Sequence, residues 1–261
     1  MKKPATDSQD RACISITVAE GNYVIQQDQL EKLVQSYRAS NDPDLLEEVM
    51  QTARKVLGAS VEDDAKLLHT LAWALYKSYK EVIEDFDGLE EAMKLERKAI
   101  EASPSDSMDR QRFSYWLALQ LGDYSYHIRN LDDADEAIGL IKSSLEKFPD
   151  ESPIKAAHMA NLGILLKEKY SVLGVEDDFG SGCESLETAI ASSPEDQNTI
   201  ATWLEKLADL YDAKHDNLGR LEDLEEAINV VKRYLEKASK DHRHWSKQLS
   251  NYSNYLDSLH S

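Results

Sequence analysis

The sequence predicts an all-α fold built from stacked antiparallel helix pairs, and three observations carry that expectation. Helix breakers are scarce: 10 Gly and 6 Pro in 261 residues leave room for long helices and disfavour turn-rich β folds. Apolar residues recur at three, four and seven within successive segments, the spacing of one buried helical stripe. The chain also repeats itself. Segments beginning at Leu46, Leu89, Ala134, Phe179 and Leu224 align, with starts 43, 45, 45 and 45 residues apart.

Each unit reads as two helices. The first, A, is predicted over 64–80, 108–126, 153–171, 198–214 and 243–258, and the second, B, over 45–58, 88–102, 133–147, 178–192 and 223–239. Helix A carries a Leu-small pair at Leu71-Ala72, Leu117-Ala118, Leu162-Gly163 and Leu207-Ala208, and helix B a small residue at Ala92, Ala137, Gly182 and Ala227. A small side chain on each face lets paired helices approach closely; a larger one would force them apart. Asp87, Asp133, Asp178 and Asp223 are expected to cap helix B, accepting from its free amides and complementing its positive end. Pro104, Pro149 and Pro194 then stop three of the units.

Residues 1–40 fall outside the repeat. A polar tail leads to a helix expected within Tyr23 to Tyr37, with Val24, Leu30, Leu33 and Val34 on one side, read as an N-terminal cap. The last helix, with Trp245, Leu249, Tyr252 and Leu256, caps the other end. The domain reading is therefore a tail and capping helix over 1–40 and a helical repeat domain over 41–261. Its units lie near 45–87, 88–132, 133–177, 178–222 and 223–258.

Lys and Arg number 30 against 49 Asp and Glu, a net charge of −19. Such a surface repels phosphate backbones and anionic headgroups, so nucleic acid and membrane are poor partners and a basic protein or peptide a better one. The same excess of acid also keeps a helical rod soluble. No window approaches the ~20 apolar residues of a membrane span, and Met1-Lys2-Lys3-Pro4 leads into a polar stretch unlike a signal peptide. A soluble cytoplasmic protein is expected. Cys13 and Cys183 make no disulfide framework and lie in no metal-ligand spacing. His242-x-His244 is a poor metal pair, and Asp178-Phe179-Gly180 matches a kinase tripeptide by letters only. No cofactor, metal or catalytic residue is expected.

The columns resemble the tetratricopeptide repeat family over roughly residues 44–258. In the third unit Leu117, Ala118, Leu121, Ala137, Ile141, Ser144 and Pro149 fall on that family's positions. The departure is length, 45 residues here against about 34 in the family. Longer units with the Asp223-Leu224-x-x-Ala227-Ile228 start to helix B are similar to repeats in large fungal proteins that carry protease-like or nucleotide-binding signalling domains.

The resemblance implies a right-handed α-α superhelix of about five units with capping helices, and a concave groove lined by the A helices. Carried over by register, the groove positions are His69, Trp73 and Tyr76; Tyr115 and Leu119; Ile164 and Lys167; and Glu205, Asp209 and Asp212. Arg112 stands beside the first set, so the groove is expected to be aromatic and partly basic at one end and acidic at the other. The family's carboxylate clamp, a Lys and an Asn on adjacent A helices, is absent: the aligned residues are His69, Trp73, Tyr115 and Leu119. The function implied is a non-catalytic scaffold for a protein or peptide. The alternative is a small-molecule receptor or enzyme around His69, Trp73, Tyr76 and Tyr115, where one imidazole and two phenols could move protons.

Overall fold

A computed structural model describes residues 26–59, 64–148, 153–193, 197–242 and 244–259. The described residues form eleven helices and no strand. They are α1 (26–40), α2 (Pro43–Ala59), α3 (Ala65–Glu81), α4 (Phe86–Glu101), α5 (Met108–Ile128), α6 (Leu131–Leu145), α7 (Pro153–Leu173), α8 (Glu176–Ser192), α9 (Gln197–Leu218), α10 (Leu221–Lys237) and α11 (Trp245–Leu259). The A helices α5, α7 and α9 run 21, 21 and 22 residues. Much of the added length of the 45-residue unit therefore lies in helix A rather than in a loop.

The chain forms two compact units that divide at Gln120/Leu121, inside α5. In the first, α3 packs on both α2 and α4, burying Leu46, Val49, Leu71 and Leu89. In the second, α6 to α11 each pack on the next in sequence, around Tyr170, Leu186, Leu207, Val231 and Tyr234. Each such side chain contributes about 1.5–3 kcal/mol of burial free energy.

The small-residue columns lie where those helices meet. Ala72, Ala92, Ala118, Ala137, Ala208 and Ala227 are all buried. At α7 and α8 the approach is closer still. A Cβ on Gly163 would stand 2.6 Å from Leu186 Cγ and 3.0 Å from the Gly182 carbonyl oxygen, so even alanine forces these helices apart.

The caps of helix B differ from the expectation. The B helices α4, α6, α8 and α10 begin two residues early, and their N-cap positions are Asp85, Asn130, Val175 and Arg220. Of the four, the Asn130 side chain accepts from a backbone amide, that of Asp132. Asp87, Asp133, Asp178 and Asp223 lie inside the first turn instead. The reason is the tightness of the preceding connection. Helices α5, α7 and α9 are followed at once by Arg129, Gly174 and Gly219, with φ of 54°, 66° and 65°. That left-handed residue reverses the chain at once, and Gly174 and Gly219 donate back to Tyr170 and His215 at 2.7 Å.

The displaced aspartates still meet the positive helix end, and two of them reach lysines. Lys169 lies 3.7 Å from Asp178 and 2.7 Å from Asp135; Lys214 lies 3.7 Å from Asp223 and 2.6 Å from Glu176. Lys169 and Lys214 thus each contact both the B helix before their own A helix and the one after. Pro104 follows the end of α4, whereas Pro149, Pro194, Cys13, Tyr23 and Val24 lie outside the described residues. Among the described residues, no helix is long and apolar enough to cross a membrane.

Candidate binding site

The expected groove residues fall into two separate groups, one in each unit. In the first unit, α3 and α5 bring His69, Tyr76, Arg112 and Tyr115 together around Phe113 and Trp116. The His69 ring stacks on Phe113 at 4.5 Å and lies 6.2 Å from Trp116; Tyr76 and Tyr115 meet Trp116 edge-on at 6.1 and 6.3 Å. The Arg112 guanidinium stands 5.3 Å from the Phe113 ring and pairs with Asp109 at 3.0 Å. Tyr115, Trp116 and Leu119 are half-buried, while Tyr76 is buried.

Below this aromatic surface sits a closed polar contact. His69 Nδ1 lies 2.7 Å from Glu96 Oε1, and Gln120 Nε2 donates to Glu96 Oε2 at 3.3 Å. Glu96 is 0% exposed. Burial pushes its carboxyl above the ordinary value, and the hydrogen bonds from His69 and Gln120 only partly offset this.

Trp73 is not open to a groove. It is 5% exposed, with Tyr37 of α1 edge-on at 5.7 Å and the Arg38 guanidinium 5.2 Å from its ring. Tyr37 also donates to Glu81, whose carboxyl burial would raise. Donation from Lys77 and Tyr37, with the lysine charge, outweighs that and holds Glu81 below its usual value. Beside α1 and the start of α3 runs an open groove of about 980 Å³, with buried Leu30, Val34 and Leu67 in its wall and Arg38, Asp64 and Lys66 around it.

In the second unit Ile164 packs on the core, and Lys167 pairs with Glu168 at 2.6 Å. The acidic set is met by α11 and the residue before it. Glu205, 1% exposed, is hydrogen-bonded by His244 and lies 3.5 Å from Lys247 and 3.9 Å from Lys206. Burial raises its carboxyl, but the bond from His244 and the surrounding cations hold it below the ordinary value. Asp209 lies 3.8 Å from both Lys206 and Lys247. Asp212 is raised by burial despite a hydrogen bond from Tyr255, with Asp216 and Asp209 adding to the rise. His242 bonds the Tyr234 hydroxyl at 2.7 Å. Among the described residues no group of three or more His, Cys, Asp or Glu is placed to hold a metal ion.

Register reasoning missed the residues that cover these positions: Tyr37 and Arg38 over Trp73, and His244, Lys247 and Tyr255 against the acids. The first pair has no signal, since α1 lies outside the repeat. The second has one in charge, because the cationic run Lys240, His242, Arg243, His244, Lys247 follows the acidic 205–212 stretch in an otherwise acidic chain.

No family model matches the chain, and no curated protein matches it. Solved structures do. A thermophilic TPR protein of Thermus thermophilus is similar over 90% of this chain and 100% of its own, at 19% identity and a TM-score of 0.50. BtubC (BKLC) from P. vanneervenii is similar over 86% of this chain and 95% of its own, at 16% identity and a TM-score of 0.51. The fold is tetratricopeptide-like. At such identities the likeness speaks to the fold, and the binding chemistry of this tetratricopeptide-like chain has to be argued from its own residues.

Proposed function

We propose that the chain is a non-catalytic binding protein that receives a protein or peptide segment on the exposed face of its A helices. The observation that carries this reading is the Tyr115–Trp116 pair on α5. Both rings are partly exposed; Trp116 is held by Tyr76 edge-on and by His69, itself fixed to Glu96, and Tyr115 meets Trp116 edge-on. Rigid aromatic side chains that lose little entropy on contact are the usual anchors of protein recognition. Arg112 beside them supplies a polar rim.

In this reading 1–40 is a tail and capping helix, the helix being α1, which covers Trp73, and 41–261 is the repeat domain. The net charge of −19 favours a partner with basic character and raises its encounter rate at low salt. A cytoplasmic location fits such a protein. The test is direct: a partner captured from the native host is purified and titrated calorimetrically. The double substitution Tyr115→Ala, Trp116→Ala lowers the melting temperature through lost ring packing, but where circular dichroism shows the chain still folded it should weaken binding at least tenfold. Equal affinity for the native and substituted chains would overturn the A-helix assignment.

A further inference from the structure

A different face of the second unit carries a pattern that neither its packing nor the proposed A-helix contact uses. Ile128, Leu173 and Leu218 recur at 45-residue spacing and are 46%, 44% and 45% exposed. Each is the last residue of an A helix. Tyr126, Val172 and Leu221 around them are exposed as well. The connections that carry them are neighbours: a Cβ on Gly174 would stand 4.0 Å from Asn217 Nδ2, and Tyr126, Arg129 and Val172 line one small cleft.

Helix termination does not account for this column. The stop comes from the left-handed residue that follows and from its back-donated amide. An apolar side chain just before it adds nothing to that geometry, and single exposed apolar residues do not fall in register by themselves.

Four residues beyond each member of the apolar column stands an acid, Asp132, Asp177 and Glu222, also 45 apart. All three are exposed and lie in the first turn of α6, α8 and α10. Arg129 and Arg220 are exposed cations on the same connections, and with Asp216 the acids outnumber them. The edge therefore bears two parallel rows, one apolar and one anionic.

We propose that this edge docks a basic amphipathic segment of another protein, its apolar side chains on Ile128, Leu173 and Leu218 and its Lys or Arg side chains on the acidic row. Charge decides the occupant. A second copy would bring the same acidic row against this one, and an anionic lipid surface is repelled by it. A cationic amphipathic segment satisfies both rows at once.

The test uses the full chain, isotopically labelled, and an amphipathic Leu/Lys peptide of about 18 residues, long enough for several helical turns, beside a matched Leu/Glu peptide. The Leu/Lys peptide should bind with micromolar affinity and shift amide resonances over 126–132, 171–177 and 216–222. Ile128→Ser, Leu173→Ser, Leu218→Ser together should raise Kd at least tenfold without changing the circular dichroism, because all three sites are solvent-facing. Asp132→Asn, Asp177→Asn, Glu222→Gln should do the same and flatten the salt dependence. Unchanged affinity in the apolar variant would show mere charge attraction and overturn the proposal. So would equal binding of the Leu/Glu peptide, binding to phosphatidylserine vesicles through these turns, or a dimer that the apolar variant abolishes. Shifts confined to the α5 face would overturn it while supporting the A-helix reading.

Discussion

Glu96 in the first unit and Glu205 in the second are both buried carboxylates with an imidazole at hydrogen-bond distance, yet they settle on opposite sides of the ordinary carboxylate value. The difference lies in what else surrounds them. Glu96 has a neutral carboxamide, Gln120, as its second donor and aromatic rings nearby, and the Arg112 charge is the smallest of its offsets. Glu205 has Lys206 and Lys247 within 3.9 Å in addition to His244. One imidazole offsets the desolvation of a carboxylate only in part; further cations reverse the balance. The same residue pair thus makes a hydrogen-bonded contact among aromatic rings in one unit and a contact flanked by lysines in the other.

Removing each imidazole should expose that difference most sharply. His69→Ala leaves Glu96 buried with one weak neutral donor and should cost about 3 kcal/mol at pH 7. His244→Ala leaves Glu205 its two lysines and should cost about 1 kcal/mol. Equal losses in urea unfolding would break the comparison.

His158 offers a third case, an imidazole whose shift comes from burial. It is 4% exposed, with Ser144 Oγ at 3.0 Å and Phe148 edge-on at 5.1 Å, and burial pushes it down from 6.5 to about 4. Between those values the unfolded chain takes up a proton that the folded chain refuses, so stability falls as pH drops from 6.5 towards 4. The loss should reach about 2–3 kcal/mol. A His158→Leu chain lacks this contribution, and an unaltered pH profile in that variant would remove the assignment.

The two glutamines contrast as the glutamates do. Gln120 donates to Glu96, whereas both polar atoms of Gln248 in α11 are buried without a hydrogen-bond partner. Gln248→Met should raise stability by about 1 kcal/mol, and a loss instead would show a partner at that site.

The smallest effects are those of sign. Glu205 lies below its unfolded value, so its contribution is present above about pH 4.5 and fades as pH falls through the folded value. Glu96 lies above it, so its ionisation weakens the fold as pH rises past 4.5. Relative to the native chain, Glu96→Gln should improve and Glu205→Gln worsen on going from pH 4 to 7. Parallel trends in chemical unfolding would contradict the contrast.

The helix pairs are legible in the sequence because small and apolar columns obey one period, and close helix packing at Gly163, Gly182 and the alanines demands those residues. The caps are not, because an Asp near a helix start reads alike at the cap and in the first turn; the left-handed residue at 129, 174 and 219 decides between them. The candidate site is legible only as a stripe. An aromatic such as Trp73, roofed by a helix outside the repeat, has the same spacing as Tyr115, which stays partly exposed. The column Ile128, Leu173, Leu218 shows the converse: its period is plain in the sequence, but an apolar column reads as core until its exposure is known.

Lys169 and Lys214 each contact acids on two successive B helices, and Lys214 also stands 3.9 Å from the Phe179 ring. In a repeat array the coupling between neighbours decides whether the chain melts piecemeal or as a block. A lysine that belongs to two interfaces makes the loss of one repeat costly to the next. Hydrogen exchange over α7 to α10 should therefore report a single opening event, and Lys214→Met, which keeps the apolar stem but not the charge, should split it in two.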